Sequence, residues 1–325
     1  MLPQLRFCNN LASKITQKWL DPVWIRTGSF KNKKRVYNIF VKKIFLTGFT
    51  SFLGSKFVEL YGESFEIKGI ARTSTSDPVD LTDASAVKRA FNTFQPDIII
   101  HTAADLGRDA STSGGIVKTN PEITKNLIDL ALPNNTPLIF TSSEAVYGGK
   151  EQTGEYVETD SYKARSPYGQ SKVESEKLLI ASGLPYLITR SHRYVGIDKN
   201  YSRSKQFPDT LKSLTNNEEA HLDSHRLFKP CLINNICDVF VHYIDHDLGK
   251  QILINLGVDK ATTYYDFLVD VAKKLGLNQE LIKSDGEETT WSENSTLSIE
   301  KMRQLGYPVL TYDHLLQALK KDWEA

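Results

Sequence analysis

Val41-Lys42-Lys43-Ile44-Phe45-Leu46-Thr47-Gly48-Phe49-Thr50-Ser51-Phe52-Leu53-Gly54 is the stretch on which the fold turns. Its first half is an apolar run, broken by two lysines and ending in Thr47-Gly48, and it reads as a strand entering a glycine turn. Gly48 permits a tight turn with close backbone approach, and Gly54 lets the following helix pack on the strand. The helix N-terminus then offers N–H groups to a diphosphate, with Thr50, Ser51, Phe52 and Leu53 forming the cradle. Ser51 stands where a middle glycine is more usual. Such a turn alone is a weak signal, and an ordinary strand-to-helix turn is its alternative. A nucleoside-triphosphate loop does not fit, because Gly48 and Gly54 enclose five residues and Lys56 is displaced by one.

Outward from the turn, helical and extended stretches alternate. Residues 55–60 read as a helix, 67–71 as a strand and 84–94 as a helix, with Val87, Ala90, Phe91 and Phe94 at helical spacing. Residues 97–101 are a continuous apolar strand, counted as the fourth after a presumed third just before Asp80; such strands are buried on both faces of a parallel sheet. A helix over 116–131, a strand at 137–141, a helix at 168–181 and a strand at 186–189 complete the pattern. This is an α/β chain, a doubly wound parallel sheet of Rossmann type, with a dinucleotide-binding core over 41–190. Residues 191–325 are expected to form mainly a smaller substrate lobe, with a late strand near 252–256 returning to the sheet. In that lobe 201–210 reads as polar and irregular, 221–230 as turns, and 264–275 and 313–323 as helices.

The 325 residues suffice for one large domain or two unequal ones. Their formal charge of +1 conceals an asymmetry. Residues 1–43 carry ten Lys or Arg and one acid, Asp21, so the rest carries 30 basic and 38 acidic side chains. The basic N-terminal extension, 1–40, fits an organelle-targeting presequence, mitochondrial in type, and equally a disordered or interacting arm. A cytoplasmic setting is the main expectation. Three cysteines, Cys8, Cys231 and Cys237, show no metal-ligand spacing and an odd count, so no metal site or disulfide framework is expected. Neither a nucleic-acid nor a membrane partner is expected.

After the second strand comes Ile70-Ala71-Arg72, with no acid to grip a ribose 2′-hydroxyl. Arg72 can instead meet a 2′-phosphate, which favours NADP(H) over NAD(H); an exposed loop arginine is the alternative. Asp80-Leu81 can reach the adenine amino group, or Asp80 can cap the helix near Ala84.

The chemistry sits in Thr141-Ser142-Ser143-Glu144-Ala145-Val146-Tyr147-Gly148 and in Tyr168-Gly169-Gln170-Ser171-Lys172. Tyr168 and Lys172 are four apart and share a helix face. The ammonium is expected to bring the phenol down from its ordinary pKa of about 10, towards a range useful for proton exchange. Ser143 can hydrogen-bond the same substrate oxygen. Tyr-x-x-x-Lys alone is common, but here it follows the glycine turn, His101-Thr102-Ala103-Ala104, Asn120 and Ser143 in order.

That order resembles the extended short-chain dehydrogenase/reductase family, the NAD(P)-dependent epimerase/dehydratase group, over about residues 41 to 257. The resemblance implies a cofactor on the glycine turn, against Thr102, Ala103 and Ala104. It also implies a catalytic triad of Ser143, Tyr168 and Lys172, with Lys172 also holding the nicotinamide ribose. Asp80-Leu81-Thr82-Asp83, the 94–104 run and Phe228-Lys229-Pro230 are most similar to the dTDP-4-dehydrorhamnose reductase group. This implies reduction of a keto group on a nucleotide sugar or similar carbonyl, with Tyr168 as proton donor. An NAD-dependent nucleotide-sugar epimerase or dehydratase fits Ser142–Gly148 and Ser166–Gly169 equally, and a cofactor-binding regulatory subunit is the reading from another class. A homodimer is a further expectation.

His101 is expected to pack beneath the cofactor. Glu144, His192, Arg193 and Arg226 are weaker substrate candidates, and Arg226 or Lys229, in a basic cluster with His221 and His225, could neutralise a diphosphate, a solvated loop being the alternative. Trp291 and Trp323 read as packing residues.

Overall fold

The computed structural model describes residues 41–72, 78–106, 115–148, 154–197, 207–285 and 294–325. The basic extension, 1–40, and Trp291 lie outside them. Six parallel strands form the central sheet: β1 (Lys43–Thr47), β2 (Glu66–Ile70), β3 (Ile98–His101), β4 (Leu138–Thr141), β5 (Tyr186–Arg190) and β6 (Gln251–Asn255). Their order is β2-β1-β3-β4-β5-β6. Ile44, Phe45 and Leu46 are all fully buried, as are Ile98, Ile99 and Ile100, because helices cover both faces of the sheet.

One face packs against α1 (Phe52–Tyr61) and α6 (Ile233–His242), joining Ile44, Leu46, Ile98 and Ile100 to Phe57 and Phe240. The other packs against α2 (Ala84–Phe94), α3 (Ile116–Ala131) and α4 (Pro167–Ser182), joining Phe45, Ile99 and Phe140 to Val87, Leu127 and Leu179. A separate apolar cluster unites α5 (Phe207–Thr215), α7 (Tyr264–Leu275) and α9 (Tyr312–Glu324) through Leu211, Phe267 and Leu315; the short α8 (Glu300–Gln304) lies between α7 and α9 in the chain. The sheet order reverses between β1 and β3, and such switch points open a crevice at the carboxyl ends of the strands.

The presumed third strand before Asp80 does not form among the described residues. Residues 78–80 are irregular, with Val79 the one buried side chain, so His101 ends the third strand and not the fourth. The stretch read as irregular up to Thr210 already enters α5 at Phe207, and in the stretch read as turns Ala220–Leu222 pairs with Ile282–Ser284. No described helix is long and apolar enough to cross a membrane.

Candidate active site

The glycine turn is closed by its own backbone. Gly48 has φ +71°, and a Cβ there would lie 2.6 Å from Thr102 Oγ1 and 2.7 Å from the Ala103 nitrogen. A Cβ on Gly54 would lie 2.2 Å from the Gly48 carbonyl oxygen, so a side chain at either position would push apart the elements that make the cradle. The side chains of Phe52 and Leu53 are buried, so these two residues can face a ligand only through their backbone. Ser51 caps α1: its Oγ accepts the Gly54 N–H at 3.0 Å and lies 3.2 Å from Thr102 Oγ1. Thr102 donates to the Thr47 carbonyl at 2.8 Å, which leaves Ser51 as the donor in the hydroxyl pair. Ser51 therefore ties the turn to the end of β3. This small-residue cradle at a helix N-terminus fits a dinucleotide diphosphate.

At the end of β2, Arg72 is exposed. Asp80 accepts the Thr82 N–H at 2.9 Å and the Thr82 hydroxyl at 2.8 Å. The Thr82 N–H chiefly, with Arg72 a smaller influence, holds the Asp80 carboxyl below its ordinary range. Arg72 thus shares its field with a carboxylate. The cap of α2 is Asp83, whose Oδ1 accepts the Ala86 N–H at 2.9 Å, and not Asp80. Leu81 is buried, and its carbonyl accepts from Asn126.

Ser143 follows β4 and donates to Glu144 Oε2 at 2.6 Å while accepting the Ala145 N–H at 3.2 Å. Ser142 points elsewhere: its Oγ is buried without a partner among the described residues. Ser166 caps α4 through the Gly169 N–H at 3.0 Å, and Pro167 opens the helix, which fixes where Tyr168 and Lys172 emerge. Lys172 is buried; its Nζ donates to the Thr141 carbonyl at 2.7 Å and lies 4.7 Å from the Phe140 ring centre and 5.6 Å from that of Tyr168. Burial lowers Lys172 to about 8, opposed by Glu176.

The expectation that Lys172 depresses the Tyr168 phenol is not met. Burial pushes the phenol up from its ordinary value, and Tyr194 and Glu144 act in the same direction. Desolvation is the largest influence on Tyr168, and the Lys172 ammonium bonds the Thr141 carbonyl, not the phenol.

His101 is fully enclosed, with Nδ1 2.7 Å from Thr47 Oγ1 and Nε2 3.4 Å from Thr124 Oγ1. Burial, then Lys172, lowers it to about 3, so it is a neutral packing residue at working pH. Asn120 joins the segment after β3 to α4. It exchanges two hydrogen bonds with the Asp105 backbone and donates to Ser171 Oγ at 3.0 Å, and Ser171 donates to the Tyr168 carbonyl at 2.7 Å.

Past β5, His192 Nε2 lies 3.7 Å from Glu144 Oε1, and its ring faces Phe228 at 5.0 Å. Burial lowers His192 to about 4 despite the Glu144 carboxylate. The Arg193 guanidinium lies 4.7 Å from the Tyr264 ring centre, and the Arg226 charge opposes its own. Asp223, 3.8 Å from Arg226 Nε, balances part of that charge. Glu144, His192, Arg193 and Arg226 therefore share one cluster. Lys229 does not join them as a free cation, because its buried ammonium bonds Glu155 at 2.5 Å, and His221 is exposed beside Glu219.

The residue reading passed over Glu176 and Arg190, which are 0 % and 1 % exposed and bonded to each other. The signal was present: Glu176 continues the Tyr168, Lys172 spacing by one more turn, and Arg190 ends an otherwise apolar strand.

Comparison with known proteins adds to this geometry. Residues 44–254 match the family described as the NAD dependent epimerase/dehydratase family. A dTDP-glucose 4,6-dehydratase of Xanthomonas campestris pv. campestris is 32 % identical over 133 residues, 36 % of this chain and 38 % of that protein. The chain thus spans about two fifths of the length of the first dehydratases it matches. A dTDP-4-dehydrorhamnose reductase of Aggregatibacter actinomycetemcomitans is 22 % identical over 279 residues, 81 % of this chain and 92 % of that protein. Among solved structures, the dTDP-4-dehydrorhamnose reductase of Bacillus anthracis in complex with NADP superposes with a TM-score of 0.74 at 16 % identity, covering 87 % of this chain and 99 % of that one. The dTDP-glucose 4,6-dehydratase of the same organism, in complex with NAD, gives 0.74 at 19 % identity, covering 87 % and 97 %. These two likenesses show the fold.

Proposed function

The chain belongs to the NAD dependent epimerase/dehydratase family, and within it we propose that it is an NADP(H)-preferring oxidoreductase that reduces a keto group on a nucleotide sugar or a similar carbonyl compound. The observation that supports this reading is the placement of Lys172 in the first turns of α4, 5.6 Å from the Tyr168 ring centre and hydrogen-bonded to the Thr141 carbonyl at the end of β4, two residues before Ser143. The nucleotide-linked hexoses in the relatives' names support the substrate class.

A bound nicotinamide cofactor would supply the hydride for the carbonyl carbon. Gly48 and Gly54 would admit its diphosphate to the N-terminus of α1, Arg72 would meet a 2′-phosphate, and Lys172 would hold the nicotinamide ribose. Ser143 turns its hydroxyl from Glu144 to the substrate oxygen. Tyr168 gives that oxygen its proton as negative charge develops there. Burial keeps the Tyr168 phenol protonated and also makes it a weaker acid, so donation relies on the negative charge that develops on the substrate oxygen. Arg193 and Arg226, two cations that repel one another, are suited to the substrate's diphosphate.

A second reading, an epimerase or dehydratase that retains NAD, is favoured by the Glu144 carboxylate hydrogen-bonded to Ser143 and by the dehydratases among the relatives. Binding of NADPH and NADH, measured side by side with an Arg72→Ala variant, tests the cofactor assignment. Tighter NADPH binding that is lost in Arg72→Ala is expected; equal binding in the unaltered chain would overturn it.

A further inference from the structure

Lys172 and Glu176 lie one turn apart on the same buried face of α4. The Glu176 carboxylate is saturated: Arg190 Nε donates to Oε1 at 3.0 Å, Arg190 Nη2 to Oε2 at 2.6 Å, and the Tyr162 hydroxyl to Oε2 at 2.9 Å. Arg190 Nη1 also donates to the Tyr147 hydroxyl at 2.7 Å and the Glu158 carbonyl at 3.1 Å, and Tyr147 donates onward to Asn255 at 2.9 Å. The pair therefore joins α4, β5 and β6. Buried ion pairs are poor sources of net stability, since apolar side chains of similar volume often do as well. Stability alone thus gives little reason for a carboxylate one turn behind Lys172.

We propose that Glu176, anchored by Arg190, is the positioning residue of Lys172: it keeps the ammonium charged at a place from which water is excluded. This rests on the reading of Lys172 as a cofactor-holding residue. The groups facing Lys172 can be named element by element. From β3 comes His101, which is neutral, and from β4 come the Phe140 ring and the Thr141 carbonyl. From α4 come the Tyr168 ring and Glu176. Glu176 is the anion in that set, and it is the influence that opposes the effect of burial on Lys172. Arg190 from β5 and the Tyr162 phenol hydrogen-bond the carboxylate, and the Tyr186 phenol feels its charge.

The test is the pH dependence of NADPH binding by the full chain, followed by the fluorescence of the bound nucleotide. Affinity in the unaltered protein should fall as Lys172 loses its proton, near pH 8. Glu176→Gln should move that fall downwards by about one pH unit, since it removes an opposite charge and leaves Arg190 unbalanced. Tyr162→Phe should move it upwards, because the carboxylate loses a hydrogen bond that spreads its charge. If Glu176→Gln does not fold, the Tyr162→Phe profile decides. A merely structural role would lower the melting temperature and leave the pH midpoint in place, and an unmoved midpoint overturns the inference. An unaltered chain that binds neither NADPH nor NADH would instead overturn the reading of the site, and this inference with it.

Discussion

At the residue scale, burial moves the two neighbouring titratable groups of α4 towards their neutral forms. Tyr168 is pushed up by burial while Lys172, four residues on, is pulled down to about 8. Tyr168→Phe removes the proton but keeps the ring that packs beside Lys172. Turnover should fall by about 10²- to 10⁴-fold, the usual contribution of a positioned proton donor, with NADPH affinity unchanged; steady-state rates and a binding titration check both halves. Gly48→Ala acts through geometry. It forces a side chain into a left-handed conformation and against Thr102 and Ala103, and it should abolish cofactor binding in the same titration.

At the element scale, the site depends on where helices begin. Ser51, Asp83 and Ser166 each cap a helix, and Ser166 sets the position of Tyr168 and Lys172. Ser166→Ala should cost about 1 kcal/mol in thermal or denaturant unfolding and lower turnover more than cofactor affinity, because α4 frays where Tyr168 sits. The elements that carry the cradle were legible in the sequence, since Ile44–Leu46, Ile98–Ile100 and Leu138–Phe140 are buried on both faces and read as apolar runs. The spacing of Tyr168 and Lys172 likewise predicted one helix, and both lie in α4, while Ser143 follows β4. What the sequence hid was tertiary. The direction of the Tyr168 shift comes from its burial in the folded chain, which spacing does not show, and Lys172 bonds the Thr141 carbonyl, a contact across 31 residues. The commitment of Lys229 to Glu155 spans 74 positions, and spacing does not reveal it. Helix α6 went unread although Ile233, Ile236, Cys237 and Phe240 keep helical spacing, because Asn234, Asn235 and Asp238 fill its other face with turn-forming residues.

At the scale of the whole molecule, two buried imidazoles tie stability to pH. His101 and His192 are held neutral, lowered to about 3 and about 4 from an unfolded value near 6.5. Between those limits the unfolded chain binds protons that the folded chain refuses, so stability rises with pH there and is lost as acid is added. The melting temperature should drop progressively as pH falls from about 6.5 towards about 4, and the drop should shrink in His192→Phe. The sheet also fixes how the parts communicate. Arg190 at the end of β5 reaches Glu176 on α4 and, through Tyr147, Asn255 at the end of β6, so the carboxylate one turn from Lys172 is anchored by contacts on three elements. The central proposal is net reduction of a carbonyl with Tyr168 as donor, and the direct measurement is cofactor stoichiometry when the chain is incubated with nucleotide-linked keto sugars and NADPH. One NADPH oxidised per sugar reduced, with oxidation slowed by about 10²- to 10⁴-fold in Tyr168→Phe, is the result the account predicts; conversion of the sugar without NADPH consumption would contradict it.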